Sequence, residues 1–489
     1  MPQEKLQELL NQAVTFHNSN DIKNAEIHYA KALELDEENT VAYYNLGLIY
    51  RDKNDGESAE LFFKKTIELN PSYIESYIQL ANLYVRYNLP HLAQEQFEKA
   101  LEMDASREEI YTNLAKIYFN DYEFEKALKA YNKLHILHPN DATILSNIGS
   151  CYQQLNRHEE AKRYYEKALS LDANHIHTLY NLSFIYLLEK DYKIGFDLYR
   201  YRYHESIKGN KAGGVAYPPR LLKPEDDVED KIVYINHEQG LGDTIAFARF
   251  YPQFLEKGAK LISYVPPSLI RLFEYNYPEI KFIPPNSDIY FDYNFPMMEA
   301  PYLLQTTFED LPARDGFLKV NPEDTLAFKK RHDFSNKKKI AINFKGSQSL
   351  TAMQNRSIDL EDFLEKLSQL KDVEIFSLQY ETTPEELSLL EKYGVVNLGV
   401  EIQDFYDTSV MIDAMDLVIS IDTSVLHLCG ALGKESVGLL NFLDVWRWVE
   451  DENERVHWCS SISVLQQNAL KDWSNVLEEL NSHIESRLC

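Results

Sequence analysis

The sequence predicts an α-helical repeat superhelix followed by an α/β region built as two tandem sheet-and-helix lobes. Three observations predict it. One set of residue columns recurs every 34 positions down to about residue 205. Beyond that point the hydrophobic period changes, and short β-branched runs alternate with amphipathic segments. The chain, at 489 residues, is also too long for one ordinary hydrophobic core. The resulting boundaries are 1–205 for the repeats, 206–229 for a linker, 230–335 for the first α/β lobe and 336–489 for the second.

The repeat is read down its columns. Leu46, Leu80, Leu114, Ile148 and Leu182 are followed one place later by the small residues Gly47, Ala81, Ala115, Gly149 and Ser183. Tyr50, Tyr84, Tyr118, Tyr152 and Tyr186 come next, then Ala59, Ala93, Ala127, Ala161 and Gly195, then Phe63, Phe97, Tyr131, Tyr165 and Tyr199. A fixed aromatic column contributes to the excess of Tyr, 33 against 4 Trp. Ala13, Phe16, Ala25, Tyr29 and Ala32 extend the pattern backwards into a weaker first unit. Each unit reads as two antiparallel helices that bury their apolar face only against a neighbour, with small residues where the helices cross. Over roughly 5–205 the pattern resembles the tetratricopeptide (TPR) repeat family, with five clear repeats and one degenerate one at the start.

Just before the leucines stands a carboxamide column of Asn11, Asn45, Gln79, Asn113, Asn147 and Asn181. The TPR resemblance implies that this place faces the concave groove from the first helix of each pair. A carboxamide carries a donor and an acceptor, so it can grip the backbone of an extended peptide whatever its side chains. The column is also simply the commonest residue of the repeat consensus there, and both readings stand. The O-linked N-acetylglucosamine transferases, which fuse TPRs to a transferase, resemble this chain in having such a ladder.

After a Gly/Lys/Pro-rich linker, KIVYINH reads as a strand, EQGLGD as a glycine loop, and TIAFARFYPQFLEKG as one amphipathic helix closed by Gly258. LISYV and PPSLIRLFEYN repeat the strand–helix order. A second cycle runs from IAINF through VEIFSLQ, MDLVISI and ESVGLL to a C-terminal helix, DWSNVLEELNSHIESRL. This is the grammar of parallel sheets, and two Rossmann-like lobes with a cleft are expected.

Three segments carry candidate chemistry. In VISIDTSVLHLCGALGK a strand runs into Asp422, Thr423 and Ser424 and a helix begins, with His427 one turn on. Helix-start N–H groups and hydroxyls suit a phosphate, although a plain capped helix has the same local sequence. In EQGLGDTIAFARF, Gly242, Asp243 and Thr244 open a helix after a strand, where an ionised Asp243 could take a proton from an attacking hydroxyl or serve as a cap. In INFKGSQSLTAMQNRSI, Lys345 and Arg356 suit a departing phosphate oxyanion. Trp446, Arg447 and Trp448 could stack on a base or sugar, or pack as a lid.

The stretch AMDLVISIDTSVLHLCGALGKESVGLLNFLDVWRW resembles the C-lobe signature of the heptosyltransferase-like glycosyltransferases, GT-B enzymes. The resemblance implies that Asp422, Thr423, Ser424 and His427 hold the diphosphate of a sugar donor and that Asp243 is the catalytic base. Gly242, Thr244, Lys345 and Arg356 fall in loops that also serve the donor, although the QSLTAMQ stretch departs from the family's His/Asn-rich loop. It further implies metal-independent, inverting sugar transfer, with no resident cofactor. A nucleotide sugar is the co-substrate, a UDP-sugar being favoured, and the hydroxyl acceptor is a Ser or Thr of a protein recruited by the repeats. The alternatives are a TPR scaffold whose α/β region is inactive, and a donor-binding sensor.

Composition narrows the field. A net charge of -27 and a pI near 5.0 argue against a broad nucleic-acid or anionic-membrane surface. Cys151, Cys429, Cys459 and Cys489 form no CxxC pair, so neither a zinc site nor a disulfide framework is expected. The opening MPQEKLQELL lacks a signal-peptide layout and no apolar run reaches spanning length, so a cytoplasmic protein is expected.

Overall fold

Asx caps and small buried residues lay out the N-terminal helices of the computed structural model. It describes residues 2–208, 221–284, 289–312, 314, 316–346, 357–451, 453 and 455–488. The chain divides into two units, Met1–Ala173 and Asn174–Cys489.

The first unit is five antiparallel helix pairs: α1 (Pro2–Asn18) with α2 (Ile22–Leu35), α3 (Thr40–Asp52) with α4 (Gly56–Leu69), α5 (Ile74–Arg86) with α6 (Pro90–Met103), α7 (Glu108–Asn120) with α8 (Phe124–Leu137), and α9 (Ala142–Gln154) with α10 (His158–Leu171). Asp21, Asn39, Asp55 and Asp141 each accept from an N–H of the helix they precede. The small-residue column has a visible cause. A Cβ on Gly47 would lie 2.6 Å from the Phe63 ring, and one on Gly149 would lie 2.6 Å from the Tyr165 ring. The helices of a pair cross so closely that the aromatic of one fills the space the other leaves.

The second unit begins with a sixth pair, α11 (Ile176–Leu188) and α12 (Tyr192–Tyr199), a 3-10 turn at Arg200–Tyr203 and a short α13 (Glu205–Lys208). Then come β1 (Ile232–Asn236), α14 (Leu241–Phe247), α15 (Tyr251–Glu256), β2 (Lys260–Tyr264), α16 (Pro267–Asn276), β3 (Lys281–Ile283), β4 (Tyr293–Pro296), α17 (Ala300–Leu303) and α18 (Pro322–Arg331). The chain continues through β5 (Lys338–Asn343), α19 (Leu360–Leu367), β6 (Val373–Ser377), α20 (Pro384–Lys392), β7 (Val396–Asn397), α21 (Phe405–Ala414), β8 (Leu417–Ile421), α22 (Ser424–Leu432), β9 (Ser436–Leu440), β10 (Ile462–Gln466) and α23 (Ser474–Leu488).

The strands form two parallel sheets, ordered β3-β2-β1-β4 and β10-β9-β8-β5-β6-β7. Taken in order of appearance, the second sheet has the doubly wound sequence in which the direction of winding reverses between β5 and β8. Strands β8 and β9 are buried along their whole length, as a sheet covered on both faces requires.

The single helix expected over 244–258 is instead α14, a 3-10 turn at Ala248–Phe250, and α15. Pro252 is the reason. It has no N–H for the carbonyl of Ala248, and Tyr277 Oη donates to that oxygen instead, at 3.1 Å. One hydrophobic core runs through Tyr192, Phe196 and Tyr199 of α12, Phe247 and Phe250 beside the first sheet, and Trp446 and Trp458 beside the second. A second core, with Ile340, Ile419, Val437 and Leu480, lies on the other face of the second sheet. No helix among the described residues is long and apolar enough to cross a membrane.

Candidate functional site

In doubly wound sheets the ligand crevice opens at the carboxyl ends of the two strands flanking the reversal. Here those ends are Asn343 of β5 and the Asp422–Thr423 step after β8. A polar network joins them. Thr423 Oγ1 donates to Asn343 Oδ1 at 2.8 Å, Ser420 Oγ lies 3.2 Å from Thr423 Oγ1, and Asn343 Nδ2 donates to Gln379 Oε1 at 3.1 Å. Thr423 is the N-cap residue of α22, yet its hydroxyl is turned to Asn343 and makes no side-chain cap. The Thr423 hydroxyl therefore does not cap the first N–H groups of α22.

The glycine loop after β1 meets this helix start. A Cβ on Gly242 would lie 2.5 Å from His427 Cδ2 and 3.3 Å from the Ser424 Cα, so only glycine lets α14 approach α22 this closely. Asp243 accepts from Gly240 N at 3.2 Å, and its other oxygen lies 3.1 Å from Arg447 Nη2. Thr244 is fully buried. Its hydroxyl donates to Gly240 O at 3.0 Å and so accepts from His237 Nδ1 at 2.8 Å. Asp422 accepts from Trp448 Nε1 at 3.0 Å, and the Trp448 ring lies 4.6 Å from that of His427.

Burial pushes the His427 imidazole down to about 4. The charge of Arg447 adds to this, while Asp422 and Asp243 oppose it. At neutral pH it is an uncharged group with one donor and one acceptor.

The structure therefore brings together Gly242, Asp243, Asp422, Thr423, Ser424 and His427. Thr244 belongs to the internal wiring of the loop. Lys345 has its backbone N–H on Gln379 Oε1 at 3.1 Å, and its ammonium is held by Glu386 at 2.8 Å from both carboxylate oxygens. Arg356 lies outside the described residues. The six carboxamides lie one each on α1, α3, α5, α7, α9 and α11. Asn45 and Asn113 donate their amides to carbonyls four residues back, at 2.7 and 2.9 Å, which leaves their oxygens to accept. Gln79 Oε1 accepts from Arg51, and Asn11 Oδ1 from Gln7.

Sequence reading alone does not find a buried charge cluster behind the glycine loop. Arg202, from the 3-10 turn after α12, binds Glu238 through two nitrogens, at 2.7 and 3.0 Å, and lies 2.9 Å from Glu299. Tyr203 donates to Glu238 at 2.6 Å, and Arg200 to Glu299 at 3.0 Å. Burial raises the Glu299 carboxyl pKa against the pull of Arg202 and Arg200. The arginines were visible in the stretch LYRYRYHE, but their partners lie in remote segments.

Models of the tetratricopeptide repeat match residues 9–39, 40–73, 74–107 and 107–174. Residues 9–174 are tetratricopeptide repeats. The chain is also similar to protein FlbA of Caulobacter vibrioides, 26% identical over 238 residues covering 42% of this chain and 39% of FlbA. It thus spans about two fifths of that relative. Among solved structures, YrrB, described as a TPR protein with an unusual peptide-binding site, is 24% identical, covering 36% of this chain and 90% of YrrB at a TM-score of 0.33. MamA is 23% identical, covering 35% of this chain and 93% of MamA at a TM-score of 0.32. A repeat array of this kind is a protein-interaction surface. The second unit is α/β, with parallel sheets and helices.

Proposed function

We propose that this chain is a GT-B-like glycosyltransferase that moves a sugar from a nucleotide diphospho-sugar, a UDP-sugar being favoured, to a hydroxyl of a protein recruited by its repeats. The observation that carries the reading is the Asn343–Thr423 bond across the sheet reversal, which turns the Thr423 hydroxyl away from capping α22, beside Asp243. In this scheme the diphosphate rests on the first turn of α22, with Ser424 and neutral His427 as donors. The acceptor oxygen attacks the anomeric carbon, and its proton passes to Asp243. The bond from that carbon to the diphosphate oxygen breaks, and nucleoside diphosphate leaves. The carboxamides on the first helix of each repeat would hold the acceptor backbone.

A second reading, an interaction scaffold with an inactive α/β unit, draws on two other observations. The charged groups best suited to the chemistry, Lys345 and Asp243, are both occupied, by Glu386 and Arg447. The two readings part on turnover. Purified protein is incubated with UDP-, GDP- and ADP-sugars, and released nucleoside diphosphate is measured for wild type and Asp243→Asn. The transferase reading expects release with one donor and a loss of about 100-fold or more in the variant, the scale of a lost general base. No release with any donor supports the scaffold, and equal release by both proteins would remove Asp243 from the role of base.

A further inference from the structure

The 446–448 turn sets three consecutive side chains against three parts of the second unit. Trp446 packs edge-on against Phe196 and Tyr192 of α12, with ring centroids 5.5 and 6.2 Å away, and against Trp458 at 5.1 Å. Trp448 is tied to Asp422 and lies against His427. Both indoles are buried, so the backbone between them is held from two sides. Arg447, the residue between, reaches Asp243 at 3.1 Å, with side chains 17% and 14% exposed.

That ion pair is close but poorly completed. Arg447 Nε and Asp243 Oδ1 are both buried, and neither makes a hydrogen bond. A buried charge pair with unmade hydrogen bonds recovers only part of its desolvation cost. A diphosphate would offer the same guanidinium two oxyanions in the forked geometry it prefers. Arg447 already stands beside the α22 start, because its neighbour Trp448 contacts Asp422 and His427 of that helix start.

We infer that Arg447 is a diphosphate ligand held in reserve by Asp243, and that nucleotide binding exchanges the Arg447–Asp243 ion pair for an Arg447–phosphate pair, releasing the Asp243 carboxylate. This rests on the nucleotide site proposed above. The base is thus masked until the donor is seated, which imposes an order of donor first and acceptor second.

The test is a calorimetric double-mutant cycle on the full chain. UDP, ADP, GDP and CDP are titrated into wild type, and the tightest binder is carried into Asp243→Asn, Arg447→Met and the double variant, each checked for an unchanged melting profile. Asp243→Asn frees Arg447 from its internal competitor and tightens binding about fivefold, within the range of coupling between contacting charges. Arg447→Met weakens it about tenfold or more, and in that background Asp243→Asn no longer tightens it. A merely structural pair would instead make Asp243→Asn weaken binding. Tightening that persists without Arg447 would be general charge relief. Either result overturns the exchange while leaving the nucleotide site standing. If none of the four nucleotides binds folded wild type, the site reading fails and the exchange falls with it.

Discussion

His427 shows how one residue's surroundings set both its chemistry and its cost. Its imidazole sits under Trp448 and against Gly242, and burial holds its pKa at about 4. In the unfolded chain a histidine titrates near 6.5. Below that value the unfolded chain takes up a proton that folded His427 refuses. Its contribution to stability is therefore complete above about pH 6.5 and is lost as pH falls toward 4. His427→Gln is expected to flatten that part of the acid response. Urea midpoints at pH 7 and pH 5 should differ less in the variant than in wild type, and parallel shifts would refute the assignment. The same neutrality means that His427 meets a phosphate as a hydrogen-bond donor, not as a cation.

At the scale of elements, the inter-helix turns follow one rule. Asn20, Asn54, Asn88 and Asn156 all take left-handed backbone, with φ of 61, 64, 57 and 55°, and Tyr122 takes it at the equivalent place with φ of 65°. Asparagine bears this conformation at low cost and a Cβ-branched or bulky residue does not. Asn54→Ala should cost ~1 kcal/mol in chemical unfolding, while Asn54→Gly should be nearly neutral. Equal losses in both would mean the side chain matters more than the backbone.

Such periodic demands are why the repeats were legible in the sequence: every unit solves the same packing problem with the same residue types. The apolar runs of β5, β8 and β9 were legible for a similar reason. Helix α21 was not, because Tyr406, Thr408, Ser409, Val410, Met411 and Ile412 are all buried, so it shows no one-sided stripe. The break after α14 depended on which group replaces a missing N–H at Pro252, and that group is Tyr277, far along the chain. At the candidate site, Asp243, Thr423 and His427 could be picked out because each lies at or within one turn of the start of a helix that follows a strand. The Asn343–Thr423 bond joins residues 80 apart, and the Arg447–Asp243 pair is more distant still, so no local pattern reports either.

At the scale of the second unit, the sixth helix pair is part of the α/β core. Tyr192 accepts from Trp458 Nε1 at 2.7 Å, and Tyr199 Oη accepts from Gln239 of the glycine loop at 2.8 Å. Arg202 lies between Glu238 and Glu299, with all three side chains under a tenth exposed. Arg202→Met would leave two carboxylates buried without it. Breaking a buried pair from one side costs ~3–5 kcal/mol, and thermal unfolding should show a loss of that order. A loss under ~1 kcal/mol would mean that water or Arg200 takes over the role, against this account.

Direct binding tests whether the loop at the end of β8 holds a nucleotide diphosphate. Full-length protein is titrated calorimetrically with UDP, ADP, GDP and CMP, with Thr423→Val in parallel to cut the Asn343–Thr423 bond. One nucleoside diphosphate is expected to bind, about tenfold more weakly in the variant, the loss of a well-placed polar contact. No binding by any of the four to a folded protein would contradict it, and the chain would then be read as a repeat scaffold whose α/β unit serves another end.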